Sequence, residues 1–143
     1  MSTSIAKAVM PIIAVESVDQ MRDFYVDMLG FDHVMGVVGK DGKFDFCTVV
    51  KSGARMMFSR AHGKPAVGKA GFTAQPVSIY FEVPDVVAYH EQLRKKKGVE
   101  ITDALALQWW GDKTFKVMDP GGYEIWFYQT VGEVKPPEGA KIV

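Results

Sequence analysis

A chain of 143 residues, 48% hydrophobic and 24% charged, has the length of one compact domain or of two half-size modules sharing a core, and is too apolar to be largely disordered. Its 17 basic and 17 acidic residues cancel, and its one long basic run is Arg94 to Lys97. Without a net field to attract phosphate backbones or anionic lipid, nucleic acid is a poor partner.

Taken in chain order, the opening segment Met1 to Lys7 lacks the pattern of an export signal, and the apolar run Val9 to Val15 is far too short to span a bilayer. No membrane contact and a cytoplasmic location are expected. The single cysteine, Cys47, cannot form an internal disulfide, agrees with a reducing compartment, and reads as a buried inert thiol. Val9 to Val15 reads as a strand. Ser17 then caps a helix, with Gln20 three residues on completing a capping box; Met21, Phe24, Tyr25 and Met28 recur at helical spacing, and Gly30 ends the helix. Asp41-Gly42 and Ser52-Gly53 are turn signals that divide Phe31 to Ser59 into three strands. Ser59 to Pro76 is rich in Gly, Ala, Pro and Lys and reads as a linker. Val77 to Val83 is a second strand, Asp85 a second cap, Tyr89 and Leu93 an apolar helical stripe, and Gly98 a second stop. Asp119-Pro120-Gly121-Gly122 separates the last two strands, and the tail from Gly132 is irregular.

The order repeats. Val15 and Val83 are 68 positions apart, as are Gly30 and Gly98; with a slip of one, Phe46 aligns with Phe115, Gly53 with Gly122, Met57 with Trp126 and Phe58 with Phe127. Each half reads strand, helix, three strands. The expected fold is α+β: two tandem βαβββ modules forming a curved mixed sheet or half-barrels around a cavity, with module 1 at 8–59, a linker at 60–76, module 2 at 77–130 and a tail at 131–143.

Alternation within strands assigns their faces. Val77, Ile79, Phe81 and Val83 share an apolar face that packs the helix, as do Tyr123, Ile125 and Phe127. Glu124, Trp126 and Tyr128 form a mixed opposite face, with Met57 equivalent to Trp126 by the repeat. So much apolar area requires a cover: a partner module, a second chain or a ligand.

Pro11 to Gly30, with Phe24-Tyr25 and Leu29-Gly30-Phe31, resembles the opening of the vicinal-oxygen-chelate superfamily of glyoxalases, bleomycin-resistance proteins and extradiol dioxygenases. Phe81 to Asp85 and the stretch Trp110 to Tyr128 are similar to its second half, so the resemblance covers about Pro11 to Tyr128. It implies the paired-module fold, a homodimer, and, in metal-dependent members, ligands on the first and last strand of each module. Here those positions are Met10, Met57, Ser78 and Trp126, a set without imidazole or carboxylate, so no metal and no cofactor is expected.

The resemblance to bleomycin-resistance members implies a metal-independent small-molecule-binding protein. Trp110, at a WG position similar to that of a pocket tryptophan, joins Trp126, Tyr80 and Tyr128 as flat surfaces for a planar aromatic compound, and a nearby carboxylate would favour a cation. Trp109 leaves the tryptophan match open. Met57, Met10, Ser78 and Arg55 complete the expected ligand-binding set, with Arg55 able to pair with Glu82 or Glu124. Those two glutamates could hold a metal, orient a cation, act as general bases, or simply face solvent. The alternative is a lyase, isomerase or dioxygenase with a displaced or absent metal, using Glu82, Glu124 and His33. His33, His62 and His90 share no metal-ligand spacing and read as surface or packing residues.

Overall fold

The computed structural model describes residues 6, 8–61 and 77–143. His62 and nearly all of the expected linker lie outside the described residues. The chain divides between Pro65 and Ala66 into two compact units. Each is a four-stranded open mixed sheet packed by a helical segment, and together they supply the two βαβββ modules expected from the sequence.

In the first unit, β1 (Ile12–Val15) leads into α1 (Val18–Asp23), followed by β2 (Asp32–Val38), β3 (Phe44–Lys51) and β4 (Ala54–Arg60), in the sheet order β1-β4-β3-β2. β1 is shorter than the apolar run suggested: Val9 and Met10 precede it, and Val9 is 92% exposed, with no partner face to bury it. Ser17 caps α1, its hydroxyl oxygen accepting the Gln20 amide at 3.2 Å. The helix does not continue regularly to Gly30. Phe24–Met28 widens into a π-turn, in which the Leu29 amide reaches the Phe24 carbonyl and the Phe31 amide the Tyr25 carbonyl. This turn presses Phe24, Tyr25, Leu29 and Phe31 together onto Cys47, Val49, Met56 and Phe58 of the sheet, all buried. Burial pushes the Cys47 thiol up to about 11, which fits the inert role read from the sequence.

The second unit repeats the plan: β5 (Ile79–Glu82), α2 (Val86–Arg94), β6 (Glu100–Leu107), β7 (Asp112–Met118) and β8 (Glu124–Thr130), in the order β5-β8-β7-β6. Asp85 caps α2 by accepting the Ala88 amide at 3.0 Å. The helix stops at Arg94, short of Gly98, and Gly98 (φ 91) closes the turn that follows. Val77 lies ahead of β5 and is half exposed, so the apolar face of this strand begins at Ile79. Val86 and Leu93 pack against Phe81, Phe115, Val117, Ile125 and Phe127, the buried set that alternation predicts.

Strand pairing refines the repeat. Asp32 faces Val50 and Met35 faces Thr48; 68 positions later Glu100 faces Met118 and Asp103 faces Lys116. Even the bulge is duplicated, with Val34 and Thr102 each skipped between paired neighbours. The Thr102 hydroxyl is the one buried side-chain oxygen without a hydrogen-bond partner among the described residues. Cys47 faces Phe58 as Phe115 faces Phe127, so Phe115 is the counterpart of Cys47 and not of Phe46. The one-residue slip therefore falls later, in the turn. Lys51 pairs with Ala54 across Ser52-Gly53, whereas the Asp119 amide meets the Tyr123 carbonyl across three residues.

The two turns solve the reversal differently. Ser52, not Gly53, takes the left-handed conformation in the first (φ 50), while Gly122 (φ 85) takes it in the second. There the buried Asp119 carboxylate accepts the Gly121 and Tyr123 amides at 2.9 and 3.0 Å, replacing the solvent those donors have lost. Asp119→Ala should lower the unfolding free energy by about 2 kcal/mol, and Asp119→Asn, which keeps an acceptor, by clearly less; urea denaturation of both variants measures this.

Candidate functional site

The face of the second sheet opposite α2 gathers most of the expected site residues. Period-two alternation turns Glu124, Trp126, Tyr128 and Thr130 of β8 to one side while Ile125 and Phe127 enter the core. Tyr80 stands beside Trp126 and Glu82 beside Tyr128 on the parallel neighbour β5. On β7 the same face carries Asp112, Thr114 and Lys116, because Phe115 and Val117 point the other way. Trp109 and Trp110 lie in the connection from β6 to β7, and hydrogen bonds fold that connection over this end of the sheet.

The rings are in contact. Tyr80 and Tyr128 stack at 4.3 Å with 18° between planes; Trp126 lies 5.8 Å from Tyr80 and 6.2 Å from Trp110. A chain of hydrogen bonds fixes their edges. The Trp110 indole N–H donates to the Tyr80 hydroxyl at 2.9 Å, which donates to Asp112 Oδ2 at 2.7 Å, and Asp112 Oδ1 accepts the Thr130 hydroxyl at 2.6 Å. Asp112 is buried and accepts from Tyr80 and Thr130, so it fixes the Tyr80 hydroxyl and, through it, the edge of Trp110. Trp110 is thus the tryptophan of the cluster, and Trp109 packs edge-on against it at 5.4 Å.

Backbone geometry holds the tryptophan connection in place. Gly111 adopts φ 96, and a Cβ there would come within 2.5 Å of the Gly132 carbonyl oxygen. That close approach lets the Gly111 carbonyl accept the Val131 and Gly132 amides, while the Lys135 amide donates to the Trp109 carbonyl at 2.7 Å. The irregular tail is therefore tied to the site.

Charge on this face is dominated by carboxylates. Lys116 places its ammonium 4.2 Å from the Trp126 ring centre and pairs with Asp103 at 3.2 Å and Glu124 at 3.3 Å. Burial works to lower the Lys116 pKa, but the two carboxylates outweigh it and the net shift is upward. Glu82 accepts a long hydrogen bond, 3.4 Å, from the Tyr128 hydroxyl. Burial, together with that glutamate, raises the Tyr128 hydroxyl. Tyr80 is pushed up to about 12, first by desolvation and then by Asp112, against the lowering effect of the Trp110 donor.

The remaining expected residues belong to other elements or precede the strands. Met57 is half-buried on β4 opposite Ile12 and Thr48, and Arg55 is exposed two residues before it. Met10 and Ser78 are exposed and sit just ahead of β1 and β5, not within them, because each strand starts later than its apolar run. His33 accepts from Arg22 Nε at 3.1 Å and packs on Phe44, and His90 packs edge-on against Phe115, which are structural roles. Sequence reasoning missed Asp103, Asp112, Lys116 and Thr130. The signal was present: with Phe115 and Val117 committed to the core, Asp112, Thr114 and Lys116 had to share the face of Trp126.

The donors do not fit a divalent ion. A thioether, a hydroxyl and an indole occupy the four expected positions, and over that indole sits an ammonium. Among the described residues no three of His, Cys, Asp and Glu converge as a metal cluster.

The profile of the Glyoxalase/Bleomycin resistance protein/Dioxygenase superfamily matches residues 5–127. The chain belongs to this superfamily. An uncharacterized protein of Mycobacterium bovis is 28% identical over 142 residues, covering 96% of this chain and 93% of that protein. Among solved structures, TioX from Micromonospora sp. ML1 superposes with TM-score 0.70 at 20% identity, over 88% of this chain and 100% of that one. The bleomycin-binding protein of bleomycin-producing Streptomyces verticillus, solved with copper(II)-bleomycin, gives TM-score 0.66 at 25% identity, over 92% of this chain and 100% of that one. No helix among the described residues of this superfamily member is long and apolar enough to cross a membrane.

Tyr80 and Tyr89, both raised from about 10 to about 12, bind protons more tightly folded than unfolded. Their contribution to stability is therefore complete below about pH 10 and disappears as pH rises through about 12. Denaturation followed from pH 9 upward should show stability falling across about pH 10–12, and Tyr80→Phe should flatten that fall while Tyr absorbance loses one late-titrating group.

Proposed function

We propose that this protein is a metal-independent small-molecule-binding protein whose ligand is planar, aromatic and cationic, and that binding is itself the activity. The observation that carries this reading is the contact cluster of Tyr80, Trp110, Trp126 and Tyr128, oriented by the buried Asp112. Rings held in this way offer stacking surface at little ordering cost. Glu82, Asp103, Asp112 and Glu124 against the ammonium of Lys116 favour a cation. Superfamily membership and the likeness to a bleomycin-binding protein support a role in drug or metabolite capture. Glu82 and Glu124 are engaged by Tyr128 and Lys116, which suits orientation of a cation better than proton transfer.

A homodimer in the cytoplasm completes the proposal. All seven residues of the edge strand β2 are exposed, including Val34, Met35, Val37 and Val38, and a second copy would cover them. Sedimentation equilibrium should return twice the 15.9 kDa chain mass, and Val37→Lys should shift it toward the monomer.

Binding is measured with two probes, bleomycin and the planar cation proflavine, by calorimetric titration. The Trp110→Ala, Trp126→Ala double variant should bind the better probe at least tenfold more weakly, about 1.4 kcal/mol. A folded double variant with unchanged affinity would show that the ligand does not stack on this face.

A further inference from the structure

Trp126 is one of the two indoles on the platform, yet the side chain of Lys116 already lies against it. The ammonium sits 4.2 Å from the ring centre, and its two carboxylate partners, Asp103 and Glu124, lie 3.2 and 3.3 Å from it. An aromatic face with flanking carboxylates is the arrangement that recognises a cation. Here the chain's own lysine fills it. The lysine side chain is 17% exposed, whereas Asp103 is 60% exposed, so the ammonium has a solvated partner to which it can withdraw.

We propose that Lys116 is a built-in competitor for the cation seat on Trp126, and that it sets specificity: a ligand binds there only by offering a planar cation that displaces the ammonium. This rests on the binding reading above and names the residue that selects the ligand. Displacement conserves charge: the ligand cation takes over Glu124, and Lys116 keeps Asp103. A neutral ring gains the stack but leaves Glu124 without its partner, and a planar anion adds repulsion from both carboxylates. The ammonium thus holds back a cation by occupying its seat, whereas an anion is repelled by the carboxylates whether or not the ammonium is there.

Two substitutions move the competitor in opposite directions. Lys116→Met retains the stem that packs on Trp126 and removes the charge; Lys116→Arg retains the charge and stacks more firmly on an indole. Titration with proflavine should give about tenfold tighter binding to Lys116→Met than to the unsubstituted chain, and severalfold weaker binding to Lys116→Arg. Anthroate, a planar anion of similar ring area, should show no comparable gain with Lys116→Met. Unchanged or weaker proflavine binding by folded Lys116→Met, or no binding at all, overturns the inference. If that variant does not fold, Lys116→Arg decides it, and binding no weaker than that of the unsubstituted chain overturns it. Trp126→Ala separates the two readings: proflavine affinity that depends on Trp126 but not on residue 116 removes the competitor and leaves the platform standing, whereas affinity indifferent to Trp126 removes the platform itself.

Discussion

One helix per module can cover only one face of its sheet, and this constraint governs everything else in the molecule. Tyr25, Phe58 and Met56 in the first unit, and Phe115, Phe127 and Leu93 in the second, commit one side of each sheet's inner strands to the helix. The opposite side is then not committed to the helix and can diverge. What it carries is a matter of chemistry.

The two units have used that freedom differently. Equivalent positions hold Ile12 beside Met57 in the first sheet and Tyr80 beside Trp126 in the second. Thr48 becomes Lys116, and the aliphatic pair becomes a pair of rings in contact. Duplication supplied two copies of a scaffold; the second carries a cluster of rings in contact, a buried carboxylate and an ammonium over an indole. Such asymmetry is expected when stability requires only the core face of each copy.

The core faces and the repeat were legible in the sequence because period-two alternation and caps are local. Ser17 and Asp85 announced their helices, and Ile125 and Phe127 their side of β8. Strand beginnings were not legible: Val9 and Val77 are as apolar as their neighbours, and only the presence of a partner strand decides which residues join a ladder. The rings of the site could be named in advance, since large aromatics on a non-core face are few. Their polar supports could not be weighed without pairing, because Asp112 is an ordinary strand carboxylate until Tyr80 and Thr130 are brought to it from two other strands. The tail gave no signal, since its link to Trp109 and Gly111 runs through backbone atoms.

The lengthened turn before β8 has a consequence for how such a duplicated chain can vary. An insertion inside a strand would reverse the parity of every residue beyond it and carry Trp126 into the core and Phe127 out of it. Placed where the chain reverses, between Asp119 and Tyr123, the same extra residue is absorbed by the loop, and each strand restarts its alternation unharmed. Length changes in this architecture are thus tolerated at its hairpin ends and, along its ladders, only as bulges in the edge strands β2 and β6, so the inheritance of an inward and an outward side survives even as the two copies drift apart.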